Sequence, residues 1–168
     1  MRRRKQDSAT SSGVISRAAL GLVLVVEDDA DDREVLCDLF AEHGFDVLAA
    51  ADVGGAIAHL ATCVPDVVVS DLQLAHRSRG VDLARHVRTT PELSHIGLIA
   101  MSGAVEPNWP TVRCFDAYLR KPLDADDLID LVSRLAAASH GFRGQPVYVP
   151  ADRPFARRVT REGGRGAS

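Results

Sequence analysis

LVLVVEDDADDRE, residues 22–34, joins an unbroken aliphatic run to six carboxylates within eight residues. The run at 22–26 has no polar alternation, which marks a strand buried on both faces rather than one half exposed to water. After it the apolar residues change period. Val35, Leu36, Leu39 and Phe40 form a helical stripe that reaches to His43, and Gly44 stands where a left-handed stop is expected. A doubly buried strand, a short acidic turn and a helix make the first half of a strand–helix–strand unit. The crowded acids need an explanation, because like charges repel. Asp31, Asp32 and Glu34 open a helix, where acids complement the partial positive charge of its N-terminus. Glu27 and Asp28 lie before it and are left over.

Outward from this stretch the alternation repeats. FDVLAA (45–50) reads as a second strand, and VGGAIAHLATC (53–63) as a helix loosened by Gly54 and Gly55. DVVVS (66–70) is a third strand with Asp71 at its end. Gly80 begins the helix VDLARHVRTT, which closes before Pro91. IGLIAMS (96–102) and DAYLRK (116–121) are a fourth and a fifth strand. DADDLIDLVSRLAAAS (124–139) is an amphipathic last helix. Strands alternating with helices predict an α/β fold, a doubly wound parallel sheet of five strands in the order 2-1-3-4-5, flavodoxin-like.

The chain has 168 residues, the length of one domain. Its net charge of −3 is unevenly spread: residues 21–140 carry 20 acids and 9 bases, while both ends are basic. We read 1–20 as a flexible leader, 21–140 as the folded domain and 141–168 as a Gly/Pro/Arg-rich tail with no output domain, its last residues mobile. An acidic body is poorly suited to nucleic acid, so no DNA-binding domain is expected. Three cysteines, Cys37, Cys63 and Cys114, fall at no metal-ligand spacing and form no closed disulfide framework. MRRRK is followed by no cleavage site, and no stretch reaches the ~18 apolar residues of a membrane span. A cytoplasmic protein without membrane contact is expected.

In a doubly wound sheet, ligands bind beyond the carboxyl ends of the strands where the strand order reverses. Glu27 and Asp28 follow the first strand and Asp71 ends the third, its neighbour, so three carboxylates should meet. Short acidic loops of this kind suit a hard cation such as Mg²⁺. Ser102 closes the fourth strand before Gly103. Lys121 closes the fifth before Pro122, and it is the one lysine outside the leader in a chain with 18 arginines. A compact ammonium at that mouth suits a carboxylate or a phosphate oxygen.

An acidic pair after the first strand, Asp71 after the third, Ser102 after the fourth and Lys121–Pro122 after the fifth resemble the receiver domain of two-component response regulators, of the single-domain type. The resemblance covers about residues 21–140. It implies a phosphoacceptor at Asp71, charged by a histidine kinase or a histidine phosphotransfer protein. Glu27, Asp28, Asp71 and the backbone carbonyl of Gln73 would hold Mg²⁺, and Lys121 and Ser102 would bind phosphoryl oxygens. Ser102 and Tyr118 would be the switch pair, with Tyr118 turning inward on phosphorylation. The downstream protein would meet the face of the fourth helix, fifth strand and last helix. The Lys121–Pro122 bond is cis in many such domains. The resemblance implies no enzyme beyond self-phosphorylation and self-dephosphorylation.

Two departures accompany it. After Asp71 the loop LQLAHRSRG is one residue longer than usual, with Ala75 where a proline is typical and Arg79 where an acid or amide is. His76, Arg77 and Arg79 then form a solvated rim or meet an anionic partner. In AVEPNWPTVRCF (104–115), Pro107 and Pro110 force a short fourth helix, and Trp109 either anchors a partner or patches that helix. Two rivals stand beside the phosphoacceptor. One is a phosphorylation-independent interaction module of the same fold. The more remote is an aspartate-nucleophile phosphatase, which would need a second acid two residues after the nucleophile, where this chain has Gln73.

Overall fold

The structure is a computed structural model that describes residues 19–74, 79–103 and 113–139, with the backbone of 147–149. The first strand, β1 (Leu22–Val26), runs into helix α1 (Ala30–Glu42). Then come β2 (Asp46–Ala50), α2 (Val53–Leu60), β3 (Val67–Asp71) and α3 (Gly80–Thr89). β4 (Gly97–Ser102) and β5 (Ala117–Arg120) precede α4 (Ala125–Ala138), the last of the described helices. All strand pairs are parallel, and the order β2-β1-β3-β4-β5 is the one expected. Outside β5 lies a sixth strand, β6 (Val147–Val149), parallel to it with Tyr118 opposite Tyr148. The tail therefore contributes to the sheet at these three residues. Ala75, His76, Arg77 and the stretch 104–112 with Trp109, which bore the readings of the rim and the short fourth helix, lie outside the described residues.

The aliphatic runs are explained by two cores, one on each side of the sheet. Along β1, Leu24 and Val26 belong to the side with α2 and α3, and Val23 and Val25 to the side with α1 and α4. Every residue of β3 and β4 is buried. A strand that alternates between two dry faces cannot alternate in hydrophobicity, hence the unbroken runs. On α1 the stripe is narrower than predicted: Leu36 and Phe40 are buried, Leu39 is half-buried, and Val35 is exposed. The helix stops as expected at Gly44, whose φ is 89°. There the amide of Phe45 donates to the Phe40 carbonyl at 3.1 Å and that of Gly44 to Ala41 at 3.0 Å. The two rings meet edge to face at 6.3 Å, the apolar contact that accompanies this kind of stop.

Candidate functional site

The C-terminal ends of β1, β3, β4 and β5 bring the expected residues to one mouth. Glu27, one residue past β1, is 2% exposed, and Asp71 ends β3 at 8%. The Lys121 ammonium lies between them, 2.8 Å from Glu27 Oε2 and 2.7 Å from Asp71 Oδ2, with Asp32 farther at 3.8 Å. The other Asp71 oxygen, Oδ1, accepts the Gln73 amide at 2.7 Å. The Lys121–Pro122 bond is cis. Burial would lower Lys121, but its hydrogen bonds to Asp71 and Glu27 outweigh that and hold it above the ordinary lysine value. For Glu27 burial wins over the Lys121 bond, and its carboxyl sits above the usual range.

Asp28 stays at the exposed rim. Asp29 caps α1, accepting the amides of Asp31 and Asp32 at 3.0 Å each, and these two acids fill the first turn. Ser102 is 2% exposed, one residue beyond Met101, which pairs across from Asp71. Tyr118 is 1% exposed and packed with Leu98, Ala100 and Phe115 in the core on the α3 side. The ring is thus inside in this structure, on the side to which the resemblance has it turn. After Asp71 the lengthened loop is pinned by an antiparallel bridge between Gln73 and Arg79.

Three local partners were not read from the sequence. Ser70 Oγ donates to the Asp71 carbonyl at 2.9 Å. Arg33, the only base among the six acids, turns back onto their backbone. Gly80, read only as the start of a helix, lies against Asp71 itself. A Cβ added there would overlap the Asp71 carbonyl oxygen and stand 2.8 Å from Ser70 Oγ. Gly80→Ala is therefore expected to push the end of β3 aside. The cost should be about 1–3 kcal/mol of stability, typical of overpacking, with a phosphorylation rate at least several-fold lower. Thermal melts and an acceptor assay check both, and a wild-type rate would show that the loop, not Asp71, absorbs the strain.

The donor set suits the Mg²⁺ implied by the sequence. Among the described residues no three His, Cys, Asp or Glu side chains are grouped closely enough to hold a metal between them, and the Lys121 ammonium fills the gap between the two buried carboxylates. Mg²⁺ does not need such a cage. It takes one or two carboxylates and completes its octahedron with waters and phosphate oxygens, so Asp28, Asp71 and the Gln73 carbonyl fit it.

The family model described as the response regulator receiver domain matches residues 23–133. A 14.6 kDa protein of Leptolyngbya boryana, itself uncharacterized, is 31% identical over 119 residues, covering 69% of this chain and 90% of that one. The regulatory protein AtoC of Escherichia coli is 30% identical over 118 residues, covering 69% of this chain, which spans only 25% of AtoC. Among solved structures, the receiver domain of Francisella response regulator 1452 superposes with a TM-score of 0.64 at 26% identity, covering 71% of this chain and 98% of that one. No described helix is long and apolar enough to cross a membrane. Strand order and the family match agree: the chain belongs to the response regulator receiver domain family.

Proposed function

We propose that this protein is a phosphoacceptor of two-component signalling, with Asp71 as the residue that takes the phosphoryl group. The observation that carries the reading is Lys121, held at 2.7 Å from Asp71 and 2.8 Å from Glu27. A carboxylate nucleophile is weak against an anionic phosphoryl donor unless positive charge is fixed where the two meet. An Asp71 oxygen attacks the phosphorus of a phosphohistidine on a kinase or phosphotransfer protein. The new O–P bond forms as the P–N bond breaks, and the imidazole keeps that electron pair. Asp28, Asp71 and the Gln73 carbonyl, with Glu27 behind them, would hold Mg²⁺, which when bound would supply the charge neutralisation that lets two anions approach. Lys121 pairs with a phosphoryl oxygen, and the Ser102 hydroxyl with another.

The phosphoryl group adds about −1.5 to −2 charges. Ser102 and Gly103 lie at the start of the loop that would respond, and the response is a population shift on the face of β5 and α4. Tyr118, already inside, would hold that shift in place rather than begin it. The donor has an apolar groove to rest in, lined by Val35, Leu36, Leu39, Pro122, Leu123 and Leu128, with Lys121 at its edge. This gives the exposed Val35 a use. Chemistry is confined to the chain's own phosphorylation and dephosphorylation, because Gln73 cannot shuttle a proton as a phosphatase acid would.

The test is intact-protein mass after incubation with acetyl phosphate, with and without Mg²⁺. We expect one added phosphoryl group that requires the metal and is absent in Asp71→Ala. A folded protein that gains none from any small donor or phosphohistidine would instead be a phosphorylation-independent interaction module. Repeated turnover of phosphate esters would establish the phosphatase.

A further inference from the structure

Arg33 lies in the first turn of α1, five residues after Asp28. Its Nη1 donates to the carbonyl of Glu27 at 2.8 Å, with those of Asp28 and Asp29 at 3.3 and 3.4 Å. Three successive carbonyls are thus turned toward one nitrogen, whose two hydrogens they share. These carbonyls fix both peptide planes flanking Asp28 and the plane after Glu27, and with them the directions in which the two side chains leave the backbone. Glu27 is held from both ends, since its amide donates to Ala50 O at 3.1 Å and its carboxylate meets Lys121.

The helix does not call for this residue. A cation in the first turn opposes the macrodipole, and Asp29 already caps α1. Nor does Arg33 neutralise the carboxylates: among the described residues its side chain hydrogen-bonds to carbonyls and forms no ion pair. Lys121 does the reverse, pairing with carboxylates directly. The two cations divide the work. Lys121 offsets charge at the acceptor, while Arg33 orients the loop and leaves its carboxylates open.

We infer that Arg33 is a positioning residue for divalent-cation binding, acting through the backbone of Glu27, Asp28 and Asp29. The inference rests on the Mg²⁺ reading above. It has a sign that separates it from simple electrostatics. Removing a positive charge beside acids should tighten binding of a cation, whereas losing the carbonyl clamp should weaken it.

The experiment is calorimetric titration of the full chain with Mg²⁺, repeated with Mn²⁺ followed by electron paramagnetic resonance, on wild type, Arg33→Met and Arg33→Lys. Arg33→Met should bind both ions about tenfold more weakly, the low end of what losing a supporting partner of a metal ligand does. Its phosphorylation by acetyl phosphate should need correspondingly more Mg²⁺ but approach the wild-type rate at saturation. Arg33→Lys keeps the charge but not the reach to three carbonyls, and should fall between. It also decides the matter if Arg33→Met does not fold. Equal or tighter binding in a folded variant overturns the inference and leaves the Mg²⁺ reading intact. Wild type that binds neither ion overturns both.

Discussion

Lys121→Met is expected to lose both halves of the site at once. Without metal at neutral pH it should be less stable than wild type by about 3 kcal/mol, the low end for breaking a buried pair, since the lysine side chain is 27% exposed. Its phosphorylation rate should fall about a hundredfold, as when a donor aimed at developing charge is removed. The cause is the pair of carboxylates left behind, with Glu27 and Asp71 both buried and no longer separated by an ammonium. Glu27 already sits above the usual range because burial outweighs the Lys121 bond. Removing that bond raises it further. A carboxyl with a raised value in the folded state binds its proton more tightly there than in the unfolded chain. Its stabilisation is complete below the unfolded value and is lost as pH rises through the folded one. The deficit of Lys121→Met should therefore shrink toward pH 4 and grow toward pH 8, and Mg²⁺ should reduce it at neutral pH. Melting curves across that range in EDTA and in Mg²⁺ read this directly. A deficit that ignores both pH and metal would mean that Lys121 stabilises through its packed stem alone.

The same physics explains what could be read in advance. Strands buried on both faces must be aliphatic throughout, so β1, β3 and β4 were legible as runs, and their alternation with helices gave the sheet order. Asp71, Ser102 and Lys121 were legible because strand ends in such a sheet converge on one mouth. Lys121 stood out further against a background of arginine. Arg33 was in plain view, the single base in DDADDRE, yet its partners are carbonyl oxygens, which every residue possesses and no sequence pattern displays. Gly80 was read as a helix start because its value lies in an absent Cβ against Asp71. Val35 was counted into the apolar stripe of α1 because periodicity cannot tell a core position from the wall of a groove. The burial of Tyr118 was not legible, since it depends on how the core cluster with Leu98, Ala100 and Phe115 packs. β6 was read as part of the tail because three residues are too few to show a period, and pairing with β5 is a matter of the sheet edge.

At the opposite end of the sheet from Asp71, one arginine should carry more stability than any residue of the site. Arg88, in the last turn of α3, donates from Nε to Cys114 O at 2.9 Å and from Nη1 to Ser94 O and Ile96 O at 3.0 and 2.8 Å. Its Nη2 meets Asp116 Oδ2 at 2.6 Å, and the same oxygen accepts the Leu98 amide at 2.8 Å. One guanidinium thus ties the end of α3 to the entries of β4 and β5. With side chains 19% and 26% exposed, the pair is mostly out of water, where losing one partner strands the other. Arg88→Met keeps the apolar stem but leaves three carbonyls and a carboxylate without their donor, and should cost about 3–5 kcal/mol. Asp116→Asn can still accept from Leu98, so it should cost less, about 1–2 kcal/mol for a weakened charge-assisted bond. The double variant should fall well short of the sum, as contacting residues do. Denaturant melts of the four proteins give the cycle. Because the network lies far along the strands from Lys121, acetyl phosphate should still modify Arg88→Met at close to the wild-type rate wherever it is folded. A large loss of acceptor activity in folded Arg88→Met would show that the two ends of the sheet are coupled, and that Arg88 belongs to the switch as well as to the scaffold.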